Sequence, residues 1–173
     1  KSVNLADKFA SVVSQELHPH RVELIKEYAE RMGKNNVFAV TGDSSVFNPE
    51  YEGKFDAVLC DVPCSGYGVI KDNPDIKLKR EEKDIEDIYS TQRKILQNCS
   101  KYLKKGGFLY YSTCSVFKSE NEKVCLDFLN ENKDFKAVEA GSELGHKQMK
   151  VGVSFLPNLS YGAGFYFCKF KKV

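Results

Sequence analysis

Phe55-Asp56-Ala57-Val58-Leu59-Cys60, running into Asp61-Val62-Pro63-Cys64-Ser65-Gly66, is the stretch that decides the fold. The first six residues are almost all apolar and of strand length. A run of that kind is expected of a central parallel strand buried on both faces. It stops at an acid, a rigid proline and a thiol. Proline fixes φ and removes an amide donor, so the chain turns abruptly out of the sheet at Pro63.

The neighbouring segments alternate between the two periods. Residues 10–14 form a short strand candidate, and residues 20–32 carry a helical stripe of Val22, Ile25, Ala29 and Met32 closed by Gly33. Residues 36–40 read as a strand followed by Gly42-Asp43. Downstream, residues 84–105 place Ile85, Ile88, Tyr89, Ile95, Leu96, Cys99, Tyr102 and Leu103 on one stripe, with Gly106-Gly107 as the expected stop. Residues 108–112 form the next strand, Ser119-Glu120-Asn121-Glu122 has the form of a capping box opening another helix, and residues 165–170 make a last strand. The β-α-β-α order predicts an open α/β sheet with crossover helices. Ligands in such sheets bind outside the carboxyl ends of the strands. The residues there are Glu16, Asp43, 61–68 and 112–115, four successive strand ends. The chain opens on Lys1-Ser2 and passes directly to a helical stretch at residues 4–9, without a first strand or a glycine-rich turn. The expectation is one domain over 1–173, N-terminally incomplete and lacking its first strand.

With 173 residues, 42% hydrophobic and 29% charged, the chain has the composition of a globular domain and is neither disordered nor collagen-like. Twenty-six basic against 24 acidic residues give a net charge of +2, which neither demands nor excludes a nucleic-acid partner. No apolar run is long enough to span a bilayer, so no membrane partner is expected. The six cysteines have no compact framework spacing and lie in strand-like or helix-like runs, which suits reduced thiols in a cytoplasmic protein.

Four of those cysteines, Cys60, Cys99, Cys125 and Cys168, fall on apolar stripes and read as core. Cys64 and Cys114 differ. Each follows a strand and is flanked by turn or hydroxyl residues, Cys114 within Ser112-Thr113-Cys114-Ser115. If the two strands are neighbours, both thiols face one crevice. A zinc site is disfavoured: there is no Cys-x₂-Cys pair and only three histidines. His18 and His20 read as a helix start.

Asp61-Val62-Pro63-Cys64-Ser65-Gly66 together with Ser112-Thr113-Cys114-Ser115 resembles the RNA cytosine-5 methyltransferases of the Sun/NOP2 type. The resemblance extends through Gly68-Val69-Ile70, Asn73-Pro74-Asp75-Ile76-Lys77, Gln92 and Gly164-Phe165-Tyr166, closest to the bacterial small-subunit rRNA enzymes. It implies a Rossmann-like methyltransferase fold, S-adenosyl-L-methionine as cofactor and ribosomal RNA as partner. It also implies that Cys114 adds to cytosine C6, that Cys64 assists loss of the C5 proton and product release, and that Asp61 lies between the methionine moiety and the base. Glu16 would accept the ribose hydroxyls, where the family more often has Asp, and Asp43 would meet the adenine. Lys1-Ser2 matches the end of the family's Gly-Gly-Lys-Thr/Ser cofactor loop, so Lys1 belongs to the cofactor site.

In the same family Lys71, Lys77, Lys79, Arg80 and Lys83 border the substrate cleft, where cations would hold phosphates. Tyr67 could stack on a splayed base. A second reading remains open: a non-catalytic RNA-binding assembly factor with the same fold. The presence of both thiols, Asp61, Glu16 and Asp43 favours the enzyme.

Overall fold

The computed structural model describes residues 1–79, 82–140 and 143–173. The chain divides into two compact units, Lys1–Val46 and Phe47–Val173.

The first unit holds α1 (Ser2–Ala6), β1 (Val12–Glu16), α2 (Pro19–Arg31) and β2 (Val37–Thr41). β1 and β2 run parallel, in register from Val12 opposite Val37 to Glu16 opposite Thr41. The expected strand therefore starts two residues later and ends on Glu16, which is its last residue rather than a loop residue. The opening helix is likewise shorter than the stretch 4–9. Val22 and Ala29 of the α2 stripe are buried with Val3 and Ala6 of α1. His18 caps α2 and Pro19 takes its first turn, so the His-Pro-His segment is a helix start. At the other end Gly33 has φ +65°. Its amide donates to Glu30 O and that of Lys34 to Ala29 O, a Schellman closure that needs a left-handed residue.

The second unit is a six-stranded mixed sheet with helices. In order it contains β3 (Phe55–Asp61), α3 (Ile76–Lys79), α4 (Glu82–Lys101), β4 (Leu103–Thr113), α5 (Glu122–Glu131), β5 (Phe135–Val138), β6 (Lys147–Gln148), β7 (Val153–Phe155), α6 (Pro157–Ser160) and β8 (Phe165–Lys172). The strand order is β3-β4-β8-β7-β6, with β5 also paired to β8. β3 and β4 are parallel, as the apolar run predicts, whereas β8 is antiparallel to β4. β3 is not the central strand buried on both faces that the run suggests: it stands at one end of the order, and only Cys60 of it is buried. The core lies under one sheet face. Leu109, Tyr111, Tyr166, Cys168 and Phe170 of the strands meet Leu96 and Cys99 of α4 and Val124, Cys125 and Phe128 of α5.

Two local expectations are corrected. α4 stops at Lys101, and Gly106-Gly107 lies inside β4 instead of ending the helix. Phe55 pairs with Leu103 but Ala57 pairs with Phe108, so residues 104–107 bulge out of the ladder. Gly106 takes φ +81°, and a Cβ on Gly107 would stand 3.0 Å from Asp56 O and Lys104 O. The bulge needs both glycines. The capping box does not form either. α5 is capped by Asn121 without a side-chain hydrogen bond, and Glu122 accepts the amide of Lys150 instead.

All six cysteines are thiols. Burial and the hydrogen bond to Cys99, the latter first, push the Cys60 thiol well up, and burial followed by the bond to Cys168 does the same to Cys125. Burial likewise raises the phenols of Tyr111 and Tyr166. Groups whose protons are held more tightly in the folded state stabilise it fully below their unfolded pKa values. That stability starts to fall as pH passes the unfolded values, about 8.5 for a thiol and about 10 for tyrosine, and is gone above the raised folded ones. Thermal melts are therefore expected to show a falling Tm above about pH 8.5. A Tm that stays flat to about pH 10.5 would contradict these assignments.

Candidate active site

In the second unit the parallel pairing of β3 with β4 sets Asp61 opposite Ser112, and Val62 donates its amide to Ser112 O at 3.2 Å. The loops that carry Cys64 and Cys114 thus leave the sheet side by side. The two Sγ atoms stand 3.0 Å apart, and both residues are half-buried. The hydrogen bond to Cys114, and then burial, raise the Cys64 thiol well above its ordinary value. Cys64 therefore holds its proton more tightly than a free thiol, and either sulfur can donate the bond between them. The exposed Asp61 carboxylate accepts the Ser112 hydroxyl at 2.9 Å.

A polar scaffold fixes these loops from behind. Gln92 of α4 donates Nε2 to Pro63 O at 2.9 Å. Thr113 Oγ1 donates to Asn121 Oδ1 at 2.5 Å, and Asn121 Nδ2 donates to Ser115 O at 2.9 Å. Glu120, wholly buried, accepts the Ser65 amide at 2.7 Å and the Ser115 hydroxyl at 2.9 Å. Glu120 and Asn121 were hidden in the sequence within the apparent capping box. That pattern located the helix start but assigned its side chains the wrong partners.

The third wall is backbone. Gly68 donates its amide to Cys114 O at 2.9 Å and accepts that of Gly164 at 2.7 Å. A Cβ on Gly68 would lie 2.2 Å from Gly164 O and 2.6 Å from Cys114 O. Neither obstacle is a flexible side-chain tip. Gly68→Ala is expected to cost about 3 kcal/mol or more, at or beyond the upper end for overpacked sites. A denaturant midpoint within error of wild type would contradict that close approach. Tyr67 packs its ring on Phe117, centroids 4.7 Å apart, and so has a protein partner already.

Of the predicted cofactor residues, Lys1, Glu16 and Asp43 belong to the first unit and Asp61 to the second. Glu16 Oε1 accepts the His18 amide at 3.0 Å, with Arg21 Nη1 at 3.9 Å. Asp43 lies just past β2 and accepts the Ser45 amide at 2.8 Å; hydrogen bonds from the Ser45 side chain and backbone hold its carboxyl below the usual range. Lys1 stands at the N-cap of α1. Lys71, Lys77 and Lys83 are exposed, Lys79 ends α3, and Arg80 lies outside the described residues. Among the described residues no group of side chains could hold a metal ion, and no helix is long and apolar enough to cross a membrane.

The family described as 16S rRNA methyltransferase RsmB/F matches residues 2–171. The probable ribosomal RNA small subunit methyltransferase B of Bacillus subtilis is 34% identical over 99% of this chain and 40% of its own length. The ribosomal RNA small subunit methyltransferase F of Shewanella loihica is 33% identical over 94% of this chain and 34% of its own. The chain thus spans about two-fifths or less of these relatives. Among solved structures, NSun6 from Pyrococcus horikoshii with SFG superposes with a TM-score of 0.85 at 29% identity, over 99% of this chain and 44% of that one. The N-methyltransferase NodS of Bradyrhizobium japonicum, 15% identical with a TM-score of 0.58 over 98% of this chain and 70% of its own, shares the Rossmann-like methyltransferase fold alone. On this match the chain belongs to the RsmB/F family of 16S rRNA methyltransferases.

Proposed function

We propose that the whole protein methylates C5 of a cytosine in small-subunit ribosomal RNA, using S-adenosyl-L-methionine and a covalent cysteine adduct. The observation that carries this reading is the 3.0 Å separation of the Cys64 and Cys114 sulfurs at the ends of adjacent parallel strands. Nitrogen and oxygen acceptors need no thiol adduct, whereas cytosine C5 is a poor nucleophile. S-adenosylmethionine supplies the methyl group as an electrophilic sulfonium carbon.

In this reading Cys114 acts as a thiolate, adds to C6 and so turns C5 into an enamine-like carbon that can take the methyl group. Once Cys114 is bonded to C6 it no longer shares a proton with Cys64, which can then release its own to solvent. The Cys64 thiolate takes the C5 proton, the C5–H pair forms the C5=C6 bond, and the C6–S pair returns to Cys114. Asp61, steadied by Ser112, offers carboxylate acceptors to the base edge. Glu16 and Asp43, acceptor groups at the ends of β1 and β2, suit the hydroxyl and amino donors of a nucleoside, and Lys1 completes the cofactor site. Exposed Lys71, Lys77 and Lys83 would meet phosphates. A reactive thiol pair this close persists reduced in the cytoplasm.

The test is to incubate the full-length protein with isotope-labelled S-adenosylmethionine and small-subunit RNA, then analyse the nucleosides by mass spectrometry. Labelled 5-methylcytidine is expected. Absence of label, or label on a nitrogen or ribose oxygen, would overturn the reading and favour the scaffold alternative or another acceptor.

A further inference from the structure

The two oxygens of the Glu120 carboxylate end on different loops. Oε2 accepts the amide of Ser65, the residue after Cys64, and Oε1 accepts the hydroxyl of Ser115, the residue after Cys114. The Ser65 and Ser115 hydroxyls stand 3.3 Å apart between them. Glu120 is itself fixed, since the Tyr111 hydroxyl donates to its backbone carbonyl at 2.6 Å. The neighbouring Asn121 holds Thr113 and the Ser115 carbonyl. A carboxylate only accepts, so two donors from two loops satisfy it without competition. Charge-assisted bonds of this kind are short and strong, and a wholly buried carboxylate is costly if either is lost. An apolar side chain could fill the same space but would join nothing.

We infer that Glu120 is a positioning residue for the thiol pair: one buried carboxylate ties the residue after Cys64 to the residue after Cys114 and thereby sets the separation of the two sulfurs. The catalytic consequence rests on the proposed reaction, but the sulfur separation can be measured without RNA or cofactor. Both thiols must act on the same pyrimidine ring in succession. A displacement of about 1 Å at such a site can cost about 100-fold in rate.

The experiment uses the full-length protein as wild type, Glu120→Ala, Glu120→Gln and Ser115→Ala. Diamide takes up two protons and two electrons from the paired thiols, leaving a Cys64–Cys114 disulfide and a hydrazine. Wild type is expected to close readily, because the sulfurs need only approach from 3.0 Å to about 2.05 Å. Glu120→Ala should close at least about tenfold more slowly and lose roughly 30-fold in kcat, with KM for RNA within about threefold. Glu120→Gln keeps an acceptor for the Ser65 amide and can donate to a turned Ser115 hydroxyl, so it should stay within about threefold of wild type. Buried Cys60, Cys99, Cys125 and Cys168 report on folding by remaining inert to iodoacetamide. If Glu120→Ala exposes them, Ser115→Ala decides instead, since it cuts the bridge at one end and leaves the carboxylate on the Ser65 amide. Wild-type closure in the folded variant lacking the bridge would overturn the inference, as would Glu120→Gln closing as slowly as Glu120→Ala. Should the wild type transfer no methyl group, the proposed function fails while the diamide rates still decide whether Glu120 sets the sulfur separation.

Discussion

Replacing Cys114 with Ala in the full-length protein is expected to abolish methyl transfer to RNA, by roughly three orders of magnitude or more, the scale of loss when a covalent nucleophile is removed. It should also abolish the denaturant-resistant complex with RNA containing 5-fluorocytosine. That base carries fluorine where the C5 proton would be, so addition and methylation can proceed but elimination cannot. The neighbouring thiol does not take over. Part of what keeps the Cys64 proton in place is burial, and burial survives the loss of Cys114. Cys114→Ala should bind RNA normally, because the exposed lysines are untouched. A wild-type rate of methylation in Cys114→Ala would remove that residue from the mechanism.

Cys64→Ala is expected to do the opposite of abolishing the adduct. The nucleophile remains, so addition at C6 and methylation at C5 go forward. Resolution is then slow, and a protein–RNA complex stable to denaturant accumulates with ordinary cytosine RNA when S-adenosylmethionine is present. Multiple turnover should fall about 100-fold or more, within the range for loss of a positioned proton-transfer group. The double variant Cys64→Ala/Cys114→Ala should form no adduct at all, which ties the trapped species to the second sulfur. Normal turnover by Cys64→Ala, with nothing trapped, would show that the two thiols do not divide the work in this way.

The parts of the fold that were legible in the sequence are those where one residue type has one physical use. The apolar run ending at Asp61 was legible as a parallel strand and Gly33 as a left-handed helix end, but burial on both faces was not met, since β3 stands at one end of the sheet order and only Cys60 of it is buried. Gly106-Gly107 misled because Tyr102 and Leu103 are buried whether the chain there is helix or strand, so the helical stripe ran on past Lys101 into a strand with a bulge. β5, β6 and β7 were not legible. They are four, two and three residues long, and they exist because β8 and one another supply partners, not because of their own periodicity. The thiols of the site were visible because Cys64 and Cys114 stand outside any apolar stripe. Glu120 was not, since an acid ahead of a helix looks like a cap until the structure shows that it faces inward.

The account stands most directly on which sulfur carries the base. Full-length wild-type protein is to be mixed with S-adenosylmethionine and 5-fluorocytosine RNA, denatured, digested with nuclease and protease, and the cross-linked peptide sequenced by mass spectrometry. The account predicts a pyrimidine bearing both the methyl group and the fluorine, bonded to Cys114. A nucleotide bonded to Cys64, or no covalent peptide from an active preparation, would contradict it.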